Sequence, residues 1–86
     1  MNAEEFVMQL TRIYRYTPLD RAVHDFRKGV FVNVIITIDE GTVANPFPVT
    51  YIFYETEDGD AKYVKLMQNE QLDFDYFLRE CLQKYL

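Results

Sequence analysis

The chain has 86 residues, 49% of them apolar, with seven Phe, seven Tyr and a formal net charge of −5. That length and apolar share describe one α+β domain over residues 1–86 with a single core, and they exclude a disordered chain. The lone cysteine, Cys81, excludes an internal disulfide framework and a thiolate metal cluster, and no apolar run reaches the roughly 20 residues of a membrane span.

Phe6, Val7, Leu10, Ile13 and Tyr14 recur at the spacing of one helix face, which predicts a helix from about Ala3 to Tyr14. Glu4 and Glu5 in its first turn and Arg12 and Arg15 near its end suit the helix dipole. The opening MNAEEFVMQL has neither a basic region nor a long apolar one, so it is no signal peptide and a cytoplasmic protein is expected. Thr17-Pro18 then punctuates the chain. Proline fits the first helical position and threonine before it can cap, so a second helix is expected from Pro18 to about Lys28. One longer helix kinked at Pro18 is the alternative. Leu19, Ala22, Val23 and Phe26 share its apolar face, Arg21, His24 and Asp25 the far side, and Gly29 is a natural stop.

Val30, Val32, Val34, Ile36 and Ile38 alternate along VFVNVIITID and are all β-branched, which predicts a strand over Val30–Asp39. With one face wholly apolar, it is expected to be the central strand, sealed against helices. Its other face reads Phe31, Asn33, Ile35, Thr37 and Asp39. A loop begins at Glu40-Gly41, and Pro46 and Pro48 bar regular pairing within it. A second strand follows from about Val49 to Glu55, apolar in part on both faces. Asp58-Gly59 signals a hairpin, and a third strand covers about Ala61–Met67. Phe74, Phe77, Leu78, Cys81, Leu82 and Tyr85 form the apolar face of a last helix, with Asp73 as its cap and Leu72 and Phe77 as a hydrophobic staple. The predicted order is α-α-β-β-β-α: a three-stranded antiparallel meander with the N-terminal helices and the C-terminal helix packed on one face.

In its run of one helix, three antiparallel strands and a closing helix, the chain is similar to double-stranded-RNA-binding domains. Those carry a lysine cluster at the start of the last helix, where this chain has Asp73-Phe74-Asp75. The resemblance therefore implies a shared topology and no RNA binding.

Charge placement points the same way. Residues 1–28 sum to +1, residues 29–60 to −6 without one Lys or Arg, and residues 61–86 to zero. A phosphate-binding surface needs the opposite sign, so direct nucleic-acid binding is not expected.

Catalytic signals are few. His24 is the only histidine and is expected on a solvent-facing side, while Cys81 is expected on a buried one, where cysteine behaves as a small hydrophobe. The hairpin carboxylates lack the order of a calcium loop, and there is no GxGxxG, Walker loop or HExxH. No enzyme, cofactor or metal site is expected. The open sheet face is the better candidate. Phe31, Ile35, Tyr54, Tyr63 and Met67 are expected on it, and a contiguous apolar patch marks a protein interface, a second copy of the chain included. The alternative is an acidic inhibitor that mimics nucleic acid through Asp39, Glu40, Glu55, Glu57, Asp58 and Asp60 and occupies a cationic groove.

Overall fold

The computed structural model describes residues 1–70, 74, 76 and 79. Its elements are α1 (Ala3–Ile13), β1 (Arg15–Tyr16), α2 (Leu19–Arg27), β2 (Val32–Asp39), β3 (Pro48–Glu55) and β4 (Ala61–Met67). Residues 68–70, 74, 76 and 79 are helical. The α+β class is as expected, but the sheet has four strands in the order β1-β4-β3-β2. β2, β3 and β4 form the antiparallel meander, and β1 adds to β4 in parallel.

The helices do not share one sheet face. Thr50, Ile52 and Tyr54 of β3 look toward α2, in a cluster with Ala22, Phe26, Val64, Leu66 and Phe74. Val49, Tyr51 and Phe53 look the other way and pack with Val7 and Leu10 of α1 and with Tyr14, its C-cap. β3 is thus buried on both sides, and the chain must cross from one face to the other between α1 and α2. β1 is that crossing. Its two residues pair with Lys62 and Tyr63 at the sheet edge, and the Thr17 N–H continues the contact to the Tyr63 carbonyl at 2.9 Å. The chain thereby forms two helices separated by a strand, not one kinked helix.

The strand expected at the centre, β2, lies at the edge. Its residues alternate between half-buried and exposed instead of sealing one face completely. Nor do the five alternating residues from Val30 to Ile38 share a face. Val32 pairs with Tyr54 while Val34 pairs with Phe53, a register shift that consumes one extra residue at Asn33. Val30 and Val32 therefore pack on the α2 side, and Val34, Ile36 and Ile38 on the α1 side.

Local chemistry accounts for the helix ends. Asn2 caps α1 by accepting the Glu5 N–H at 2.8 Å. Pro18 is the residue before α2 rather than its first member, and no side chain caps there. At its other end Gly29 takes φ 93°, a conformation open to glycine at little cost, and donates to the Phe26 carbonyl. The helical residues after β4 begin at position 68, not at 74. The Glu70 side chain accepts the Met67 N–H at 3.1 Å, half of a capping box. The predicted Asp73 cap and Leu72–Phe77 staple, and most of the predicted Phe74–Tyr85 face with Cys81, lie outside the described residues.

One buried polar group needs explaining. Asp25, placed by helical spacing on the solvent side of α2, is 6% exposed. Its Oδ2 accepts the Tyr54 hydroxyl at 2.8 Å and the Lys62 ammonium at 3.4 Å, so the buried carboxylate is both hydrogen-bonded and paired. Burial, with the Asp25 carboxylate beside it, pushes the Tyr54 phenol well above its ordinary value of 10.0. Tyr54→Phe removes a donor from a buried carboxylate and is expected to cost roughly 1–3 kcal/mol in denaturant unfolding at neutral pH. A phenol whose folded pKa exceeds its unfolded one stabilises fully below the unfolded value and loses that contribution as pH rises toward the folded one. Stability is therefore expected to fall above about pH 10, and less steeply in Tyr54→Phe than in the native chain.

Candidate protein-interaction surface

α2 packs over β3 and β4 through Ala22 and Phe26 and, past Val32, leaves the Ile35–Thr37 part of β2 open on that side. Ile35 sits opposite Ile52 and Thr37 opposite Thr50, yet Ile52 is 2% exposed and Ile35 54%. Phe31, just before the strand, is 72% exposed. The Thr37 and Thr50 hydroxyls meet at 2.9 Å, so the only polar pair along this strip is internally satisfied.

Of the five residues expected on one outer face, Ile35 is exposed on the α2 side, whereas Phe31, also exposed, lies between Val30 and Val32, which both pack on that side, so the two do not form one patch. Tyr54 shares the face of Ile35 but is fully buried, with the Phe26 ring 4.8 Å away. Tyr63 and Met67 lie on the opposite face, half-buried in the cluster around Val7. Their partners across the ladder are Phe53 and Val49, which point to the α1 side, so the two tyrosines never belonged to one patch. Burial raises the Tyr63 phenol as well, with Tyr16 nearby adding to the shift. Exposed apolar residues that were missed include Val43 and Phe47 in the loop between β2 and β3, Tyr16 of β1, and Phe6 and Ile13, which were expected on the buried stripe of the first helix. The signal for the two loop residues was an apolar residue on each side of Asn45-Pro46 in a segment that pairs with no strand.

That loop is organised on itself and does not fold over Ile35. Asp39 Oδ1 accepts the Gly41 and Phe47 N–H groups, each at 2.8 Å, and these two bonds hold its carboxyl below the usual carboxylate range. Glu40 N–H reaches the Phe47 carbonyl, and Thr42 and Asn45 bond each other. A Cβ on Gly41 would stand 2.2 Å from the Asn45 carbonyl oxygen, so only glycine closes the loop this tightly.

The six acidic residues separate into two groups. Asp39 and Glu40 stand where β3 begins and Glu55, Glu57, Asp58 and Asp60 where it ends, roughly 23 Å away at about 3.3 Å per residue. Glu40 accepts the Tyr51 hydroxyl; burial first, then this carboxylate, raises the Tyr51 phenol. Asp60 pairs with Arg15 at 3.1 Å, an exposed bridge that adds little stability. A cleft of about 200 Å³ at this end brings Arg21, Lys28 and Lys62 against Glu57 and Asp58. The block that lacks cations along the chain therefore meets them in space.

A groove of about 400 Å³ beside α1 is lined by Val7, Met8, Tyr51, Tyr63 and Lys65 among others. His24 is exposed on α2 and lines neither cleft. Among the described residues, no three His, Cys, Asp or Glu side chains gather as a metal site, and no helix is long and apolar enough to cross a membrane. No family model, curated protein or solved structure matches the chain.

Asp39→Ala removes the acceptor that gathers the loop. It is expected to speed amide hydrogen exchange at Gly41 and Phe47 while leaving β3–β4 amides protected. Unchanged exchange at both positions would show that the backbone turn stands without the carboxylate.

Proposed function

We propose that this protein is a non-enzymatic interaction module that docks another protein on the β2 side of its sheet. The observation that supports this reading is the uneven cover of one face. α2 shields Ile52 and Tyr54, while Ile35 beside them stays in water. An exposed isoleucine on an otherwise covered layer suits a contact surface. The acidic-mimic alternative draws less support, because the carboxylates lie at two ends of the sheet and those at the hairpin end sit among Arg15, Arg21, Lys28 and Lys62.

The test is a photo-crosslinking residue in place of Thr37, activated in cells of the native host with and without Ile35→Asp. A defined protein adduct is expected that survives high salt and is lost in the variant. Ile35→Asp itself is expected to change stability by about 1 kcal/mol or less, as for other surface substitutions. No adduct at all, or one indifferent to Ile35→Asp, would remove the docking reading. An adduct that disappears in high salt would bring the acidic alternative forward.

A further inference from the structure

The hairpin end of the sheet holds chemistry that the docking reading does not use. Its cleft of about 200 Å³ has two walls of opposite charge. Arg21, Asp25 and Lys28 stand along α2 and its C-cap at the i, i+4 and i+7 spacing of one helix face. Glu57 and Asp58 face them from the turn between β3 and β4. The walls do not close on each other. Among the described residues the ion pairs at this end are Arg15–Asp60 and Lys62–Asp25, and none joins Arg21 or Lys28 to Glu57 or Asp58.

The floor of the cleft is more specific than its walls. The Asp25 side chain is 9% exposed, and its Oδ2 accepts both the Tyr54 hydroxyl and the Lys62 ammonium. The other oxygen, Oδ1, accepts no hydrogen bond from any described residue. No fully buried side-chain polar atom among those residues lacks a partner, so Oδ1 is reached from the cleft that Asp25 lines. A carboxylate held in place by two bonds on one oxygen, with the other open to a polar cleft, is a fixed acceptor for a charged donor.

We propose that this cleft binds a small zwitterion, a free amino acid in the broad sense. Its ammonium donates to Asp25 Oδ1 beside Glu57 and Asp58, and its carboxylate is taken by Arg21 or Lys28. Charge requires both ends. A simple anion meets the carboxylates of the hairpin and of Asp25, and a simple cation meets Arg21, Lys28 and Lys62, whereas a molecule carrying both signs satisfies the two walls at once. Size agrees. The cleft lies below the roughly 300–1,000 Å³ of sites for drug-sized ligands, so the molecule has few carbons, and Val30 in the lining offers them an apolar contact.

The experiment is an NMR titration of the full chain with three zwitterions of rising length, glycine, γ-aminobutyrate and ε-aminocaproate. Butyrate and butylamine are the singly charged controls. At least one zwitterion is expected to give saturable shifts at the amides of Arg21, Lys28, Glu57 and Asp58 and at the Asp25 carboxyl carbon, with roughly tenfold tighter binding than either control. Glu57→Gln with Asp58→Asn is expected to shrink the advantage over butyrate and keep that over butylamine. Arg21→Gln with Lys28→Gln is expected to do the reverse. All four positions are exposed, so both variants are expected to keep the native circular dichroism. Binding of butyrate or butylamine as tight as that of every zwitterion would overturn the proposal. So would a titration that leaves the Asp25 carboxyl carbon unmoved, or the absence of saturable shifts from all three zwitterions at millimolar concentration.

Discussion

Six consecutive residues, Val49 to Tyr54, are withdrawn from water on both faces of β3, and most of the architecture follows from that. A strand apolar on two sides needs a layer against each. A chain of this length supplies them by sending its first helix to one face and its second to the other. The passage between them has to occur at an edge, since a connection through the sheet would break its ladder. The two residues of β1 make it at the edge of β4, and their pairing satisfies backbone groups that would otherwise be stranded beside the core.

The same double burial sets the polar chemistry beneath α2. Tyr54 brings a hydroxyl into a layer otherwise made of Phe26, Phe74, Ile52 and Leu66, and a buried hydroxyl requires a partner. Asp25 is that partner, and Lys62 balances its charge from the neighbouring strand. The trio ties α2 to two strands at once. Exchanging all three for well-packed apolar groups need not lower stability, whereas deleting one leaves the others unpaired. The arrangement therefore fixes where α2 sits more than how strongly it is held.

Local pattern was a reliable guide to elements and a weak one to their neighbours. The spacing of Leu19, Ala22, Val23 and Phe26 identified the buried face of α2, and alternation placed β2, β3 and β4 within about two residues. The centre of the sheet was misjudged because the β-branched run of β2 is more regular than β3. The informative feature was instead that β3 is apolar on both sides, as strands covered on both faces are. The bulge at Asn33 is invisible to alternation, since Val32 and Val34 look alike whichever face they take. Two residues of β1 are too few to carry any period. The burial of Asp25 depends on Tyr54, 29 positions away, which no helical window contains. For the candidate surface, the exposure of Ile35 was legible from the strand alone, while the bulge parts Phe31 from it, and Tyr63 and Met67 needed the pairing of β4 on β3 to be placed.

The two helical covers are not equally attached. α2 buries Ala22 and Phe26 completely and is bonded through Asp25, whereas α1 fully buries only Val7, and Met8 and Ile13 remain largely in water. Beyond the packing of Val7 and Leu10, its junction to the sheet is the two-residue parallel ladder and an exposed ion pair. Cooperative units of a protein open in order of how much they bury. On that ground α1 with β1 is expected to detach before α2, and its release would uncover Tyr51 and Phe53. Behind its thinner cover the sheet thus carries a second aromatic face, Tyr51 and Phe53 with Tyr63 beside them.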